Sequence, residues 1–80
     1  MFIPSEQQIE ILGLLEHGKP NREIAACLKL SVAAVEYHVS RLLRLTSTKN
    51  RLALVLWWRD FQSSSIWDRM RAETEGQNGR

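Results

Sequence analysis

Two residues, Lys29 and Leu30, are all that separate two segments with helical character, and this spacing constrains the chain more than any other feature. The first segment runs from Arg22 to about Leu28, with Asn21 as its expected cap. The second begins after Ser31 and runs to about Leu45. Ser31 suits a helix start because its hydroxyl can accept a bond from a free first-turn N–H. A short helix, a tight turn and a longer helix make a helix-turn-helix, and the rest of the chain must supply what covers its apolar side.

The flanking segments fit that role. Ser5 and Gln8 form a capping box, so a helix is predicted to begin near Glu6. Ile9, Ile11, Leu12, Leu14 and Leu15 give it a broad apolar stripe, with Glu6, Glu10 and Glu16 outside. Gly18 can end the helix in the left-handed conformation, His17 favours the negative end of its dipole, and Pro20 prevents resumption. Met1 to Pro4 reads as a short lead-in. In the next helix Ile24, Ala25 and Leu28 form the inward face, and in the third Val32, Val35, Val39, Leu42 and Leu43. That leaves Ala33, Glu36, Tyr37, Ser40, Arg41 and Arg44 on the opposite side of the third helix.

Thr46, Ser47 and Thr48 mark a turn, and Asn50 can cap a fourth helix that reaches about Gln62. This helix is apolar nearly all round, unlike a lone surface helix. If Leu54, Val55, Trp58 and Phe61 face the core, then Leu52, Ala53, Leu56 and Trp57 point outward and need a cover. A second copy of the protein or the chain's own tail would serve. The sequence thus predicts an all-α, four-helix domain over residues 1–62 and a C-terminal extension over 63–80. In the extension Ser63 to Ser65 reads as a hinge, Ser65 with Asp68 as a capping signal, and Ile66, Trp67 and Met70 as a short amphipathic helix. From Glu73 the sequence is polar and expected to be disordered.

A chain of 80 residues holds one small domain with a modest core. Its single cysteine, Cys27, forms no internal disulfide and reads as a small buried thiol beside Ala25, Ala26 and Leu28. One cysteine and two distant histidines give no metal-ligand spacing. No nucleophile–base pair or phosphate-cradling glycine loop is present, so neither an enzyme nor a cofactor is expected. With no membrane-length apolar run and no secretion signal, the expected location is the cytoplasm. Net charge is +2, but unevenly placed. Residues 1–18 carry three glutamates and no Lys or Arg; residues 19–51 carry seven basic against two acidic side chains; residues 52–80 balance. The positive charge falls on the helix-turn-helix and the segment just after it, as phosphate neutralisation would require.

Glu10-Ile11-Leu12, Leu14, Leu15, Gly18, Asn21-Arg22-Glu23-Ile24-Ala25, Leu28, Leu30-Ser31, Val35, His38-Val39 and Arg51 follow one another in an order that resembles the LuxR/GerE-type DNA-binding domain. That family's pattern is roughly E-V-L-x-L-x-x-x-G-x-S-N-K-E-I-A, then L-x-[IL]-S-x-x-T-V-x-x-H, then a later R-x-x-A-V. The similarity covers about residues 4 to 58 without gaps. It implies four helices, the third reading the major groove and the fourth often mediating dimerisation. The chain departs from the pattern at Pro20, usually Ser or Thr, at Ala34, usually Thr, and at Glu36, often Lys. Leu45-Thr46-Ser47 replaces the usual Lys-Leu-Gly. Many relatives carry a receiver or ligand-sensing domain upstream; beginning at its own Met1, this chain is expected to resemble the small stand-alone members.

The resemblance implies a sequence-specific regulator that binds double-stranded DNA as a homodimer. Carried over by position, Glu36, Tyr37 and Ser40, with Ala33 close by, would face bases, and Glu36 could accept a hydrogen bond from cytosine N4. Asn21, Ser31, Arg41, Arg44 and Lys49 would hold phosphates. Simpler roles stand beside these. Arg41 and Arg44 could be solvent-facing cations at a helix end, and Arg41 or Lys29 could neutralise Glu36. His38 reads as a boundary histidine fixing helix packing, and Arg51 either as a phosphate ligand or as a partner of Glu23. Leu52, Ala53, Leu56 and Trp57 would form the dimer interface. The alternative function is an interaction module that pairs with a larger LuxR-type regulator, or touches RNA polymerase, instead of reading DNA itself.

Overall fold

A computed structural model of the chain describes residues 1–63. It has four helices: α1 (Glu6–Glu16), α2 (Asn21–Leu28), α3 (Val32–Leu45) and α4 (Arg51–Gln62), with no strand among the described residues. The all-α helix-turn-helix architecture expected from the sequence is therefore present. The expected short helix at 65–70 and the tail beyond it lie outside the described residues.

Each helix starts as its sequence directs, with one exception. At α1 the Ser5 N–H donates to Gln8 Oε1 at 2.8 Å and the Gln8 N–H to Ser5 Oγ at 3.3 Å, which completes the capping box. Ser31 Oγ accepts from the Ala34 N–H at 3.0 Å, and Asn50 Oδ1 from the Ala53 N–H at 2.8 Å. The exception is α2. Its cap position is Pro20, which makes no side-chain cap bond, and Asn21 is already helical. The Asn21 carboxamide is engaged elsewhere: its Oδ1 accepts from Arg51 Nη1 at 2.7 Å. A guanidinium is a stronger donor than a neutral backbone amide, so the charged partner takes the oxygen.

Three helices end in the same way. Gly18, Lys29 and Ser47 take left-handed backbone conformations with φ of 76°, 57° and 56°. Beyond each of them an N–H reaches back five residues: Lys19 to the Leu14 carbonyl at 3.1 Å, Leu30 to Ala25 at 2.9 Å, and Thr48 to Leu43 at 3.0 Å. This closure satisfies carbonyls left over at a helix end and turns the chain sharply. It is what allows α2 and α3 to follow each other with so short a connection.

The core is built from Ile11, Leu12 and Leu15 of α1, Ile24 and Ala25 of α2, Val35, Val39 and Leu42 of α3, and Leu54 and Trp58 of α4. Full burial of each large aliphatic side chain contributes about 1.5–3 kcal/mol. Ile9, Leu14, Leu28, Leu43, Val55 and Phe61, also expected inward, are half-buried around this centre. Val32 departs from expectation at 42% exposed, because the first residue of α3 lies at the open end of the helix-turn-helix. Cys27 is exposed, not buried, since Ile24 and Ala25 occupy the inward side of α2. The lead-in is more than a leader: Pro4 is buried, and the Phe2 ring lies 5.9 Å from that of Trp57. Trp57 also stacks on Phe61 at 5.2 Å and is half-buried rather than outward-pointing.

Arg51 ties the start of α4 to the α1–α2 turn. Besides Asn21 it reaches the Lys19 carbonyl through Nη2 at 2.7 Å. The expected partner Glu23 instead approaches Lys19 at 3.9 Å. Because hydrogen bonds from a charged group contribute about 1.5–3 kcal/mol, Arg51→Ala is expected to lower unfolding free energy by that amount. Glu23→Ala, removing only an exposed i,i+4 pair, should change it by less than about 0.5 kcal/mol. Urea denaturation of the two variants checks the contrast, and equal losses would restore the Arg51–Glu23 pairing.

Candidate nucleic-acid interface

The amphipathic pattern of α3 decides what it presents outward. Val35, Val39 and Leu42 fix one side in the core, so Ala33, Glu36, Tyr37, Ser40, Arg41 and Arg44 emerge together on the other, and all six are exposed. Tyr37 is 56% exposed; its ring meets that of His38 edge-on, with centroids 5.6 Å apart. His38 is half-buried, in keeping with the boundary position expected for it.

The charged groups of this side are not used up internally. Among the described residues, the salt bridges are Lys19 with Glu23 and Arg59 with Glu16, and neither involves Arg22, Lys29, Arg41, Arg44 or Lys49. Glu36 likewise has no ion-pair partner among the described residues, so neither Arg41 nor Lys29 neutralises it. A polar face with free cations at its edges and one free carboxylate near its middle can meet a phosphate-lined groove and a base edge.

At the C-terminal end of α3, Ser40, Leu43, Arg44, Ser47, Thr48 and Lys49 line an open hollow. Two cations and three hydroxyls thus share one concave edge. The wall is held by Thr46, whose Oγ1 donates to the Leu42 carbonyl at 2.7 Å and lies 2.8 Å from Thr48 Oγ1. Ser31 is exposed at the other end of α3, its oxygen accepting the capping bond. Asn21 stands apart: it is half-buried at the start of α2, with its oxygen held by Arg51. Sequence reasoning missed Ser47 and Thr48, which it read only as turn residues, and gave Lys29 only a neutralising role. Ser47 and Thr48 reach the hollow through the left-handed turn at Ser47.

Four helices with a solvent-facing third helix define a helix-turn-helix protein. The bacterial regulatory proteins of the luxR family match residues 5–58, and the chain belongs to that family. Among curated proteins it is 50% identical over 54 residues to "Response regulator Rre1" of Synechocystis sp., covering 68% of this chain and 22% of that protein. It is 46% identical over 54 residues to "Probable transcriptional regulator ycf29" of Cyanophora paradoxa, covering 68% and 25%. A protein of the same name in Porphyra purpurea is 51% identical over 45 residues, covering 56% and 22%. The chain therefore spans about a quarter or less of the length of these relatives. No solved structure matches it significantly. Family and relatives together support a DNA-binding regulator.

The family's usual glycine before the fourth helix falls at Ser47, and φ of 56° there gives the physical reason for a glycine. A side chain in this region is strained by about 1–2 kcal/mol, partly offset by the entropy a glycine loses on folding. Ser47→Gly should accordingly raise unfolding free energy by about 0.5–1 kcal/mol, seen as a higher thermal midpoint in calorimetry. A lower midpoint would mean that the Ser47 side chain holds the turn.

Proposed function

We propose that this chain regulates transcription by binding double-stranded DNA in a sequence-dependent manner, as a homodimer, with α3 in the major groove. The observation that carries the reading is the exposed face of α3, whose cations have no ion-pair partner among the described residues. In this reading Glu36, Tyr37 and Ser40, flanked by Ala33, approach base edges, while Arg41, Arg44 and Lys49 meet phosphates from the C-terminal half of the helix. Ser31 offers its hydroxyl proton at the other end, and Asn21 its amide N–H groups. Glu36 is the discriminating group. A carboxylate near a row of phosphates costs affinity unless it meets a donor, and cytosine N4 is the donor that base edges offer.

Binding to duplex DNA should weaken steeply with salt, with log K falling at a slope of roughly −0.9 per phosphate contacted. Arg44→Ala should weaken binding to all sequences alike and make the slope shallower by about one contact. Glu36→Ala should relax preference at one position of the site, by about 1–3 kcal/mol, while binding to unrelated DNA stays level or improves. Selection of fragments from random duplexes followed by titration at several salt concentrations measures all three. Affinity for no duplex at low salt would sink the proposal.

For the dimer, α4 offers Leu52 at 68% and Leu56 at 55% exposed, one turn apart, with Ala53 half-buried beside them. Exposed apolar side chains grouped in this way favour a protein contact. Leu56→Glu is expected to yield a monomer in sedimentation with its helix content retained. The same two leucines favour a second reading, in which the chain pairs with a larger member of the family and modulates it. That reading gains if the wild-type chain is monomeric, selects no DNA motif, and loses binding to such a regulator on Leu56→Glu.

A further inference from the structure

Glu36 is the single acidic side chain of α3, and its surroundings leave its carboxylate to whatever the helix meets. It is exposed and makes no ion pair or side-chain hydrogen bond among the described residues. One turn before it stands Ala33 and one turn after it Ser40, both exposed. Neither carries a charge, and neither is long enough to cover it. Arg41, the nearest Lys or Arg along the chain, is five positions on and so turned by about 140° around the helix. The helix therefore presents one negative charge between two small side chains, with its cations in the C-terminal half.

An ionised carboxylate only accepts hydrogen bonds. In the major groove cytosine offers its N4 amino group, whereas the amino group of adenine stands beside N7, an acceptor whose lone pair repels a carboxylate. Cytosine is the better match. Its amino group has two hydrogens, one paired with guanine O6 and the other facing the groove. For the base pair to survive, a methyl group on N4 must take the groove-facing place, and it then removes the one hydrogen that Glu36 could use. A methyl group on C5 leaves both hydrogens where they are. A carboxylate pressed against the N4-methyl group loses its water and gains no donor, which costs more than a contact never made.

Given the DNA-binding reading above, on which this step rests, we infer that binding by this chain answers to cytosine N4-methylation. The Glu36 carboxylate accepts from the unmodified amino group and is turned away by the N4-methylated one, so the chemical state of one base controls occupancy of the site.

The test uses the full chain and the duplex it selects from random sequence, synthesised in three forms at the cytosine whose preference Glu36→Ala relaxes: unmodified, N4-methylated and C5-methylated. N4-methylation should lower wild-type affinity by about 5- to 150-fold, the range of one matched base contact, and C5-methylation by far less. The Glu36→Ala variant, its helix content checked by circular dichroism, should bind the unmodified and N4-methylated duplexes alike. On the N4-methylated duplex the variant should therefore bind more tightly than the wild-type chain. A methyl group that merely deformed the duplex would weaken both proteins equally, and that outcome overturns the inference. Equal wild-type affinity for the unmodified and N4-methylated duplexes also overturns it, as does a Glu36→Ala variant that relaxes preference at no cytosine. In each of these cases the DNA-binding reading stands, because a motif has been selected. A chain that selects no motif overturns both.

Discussion

The geometry of this protein depends on how its helices stop. At Gly18, Lys29 and Ser47 the backbone turns into the left-handed region, and the N–H of the next residue reaches back five residues to close over the last carbonyls. With connections this short, the exit angle of one helix largely sets the position of the next. Two of the three positions carry a side chain in a conformation that favours glycine. The compensation comes from what the turns bring together: ten apolar side chains from four helices in one core. Those ten are the buried centre among the described residues, so turn geometry and core are stabilised together.

Arg51 adds a second constraint. Its guanidinium fastens the first residue of α4 to both a backbone carbonyl and the Asn21 side chain. Through it the helix that follows α3 is fixed to the helix that precedes α3. Both neighbours of α3 are thereby held, and α3 is left with one side in the core and the other bare. A rigid mount with an uncommitted polar face is what recognition of a groove needs, since contacts set on a firm element lose little freedom on binding.

The departures from the family pattern take on distinct physical meanings. Pro20 replaces a hydroxyl residue at the cap of α2, and that cap makes no side-chain bond. Ser47 replaces a glycine where a glycine fits the backbone better. Both concern stability. Glu36 concerns the face itself, because it is exposed, has no ion-pair partner among the described residues, and brings negative charge to a surface otherwise edged with cations.

Much of this was determined by the sequence alone. The capping box at Ser5, the caps at Ser31 and Asn50, and the apolar spacing within each segment depend on residues three or four apart, so they can be read along the chain. The exposed face of α3 follows from the same periodicity. Tertiary structure decided the rest, where partners are distant in sequence. Asn21 had the composition of a cap, but Arg51 took its oxygen from thirty residues away. Trp57 had the spacing of an outward residue, but Phe2, far back in the lead-in, came to lie against it. Cys27 looked buried among small neighbours, yet only the placement of α1 against α2 shows that it edges an open hollow. Local pattern fixes which residues can form helices and caps; which of the competing partners each side chain takes is settled only when the helices pack.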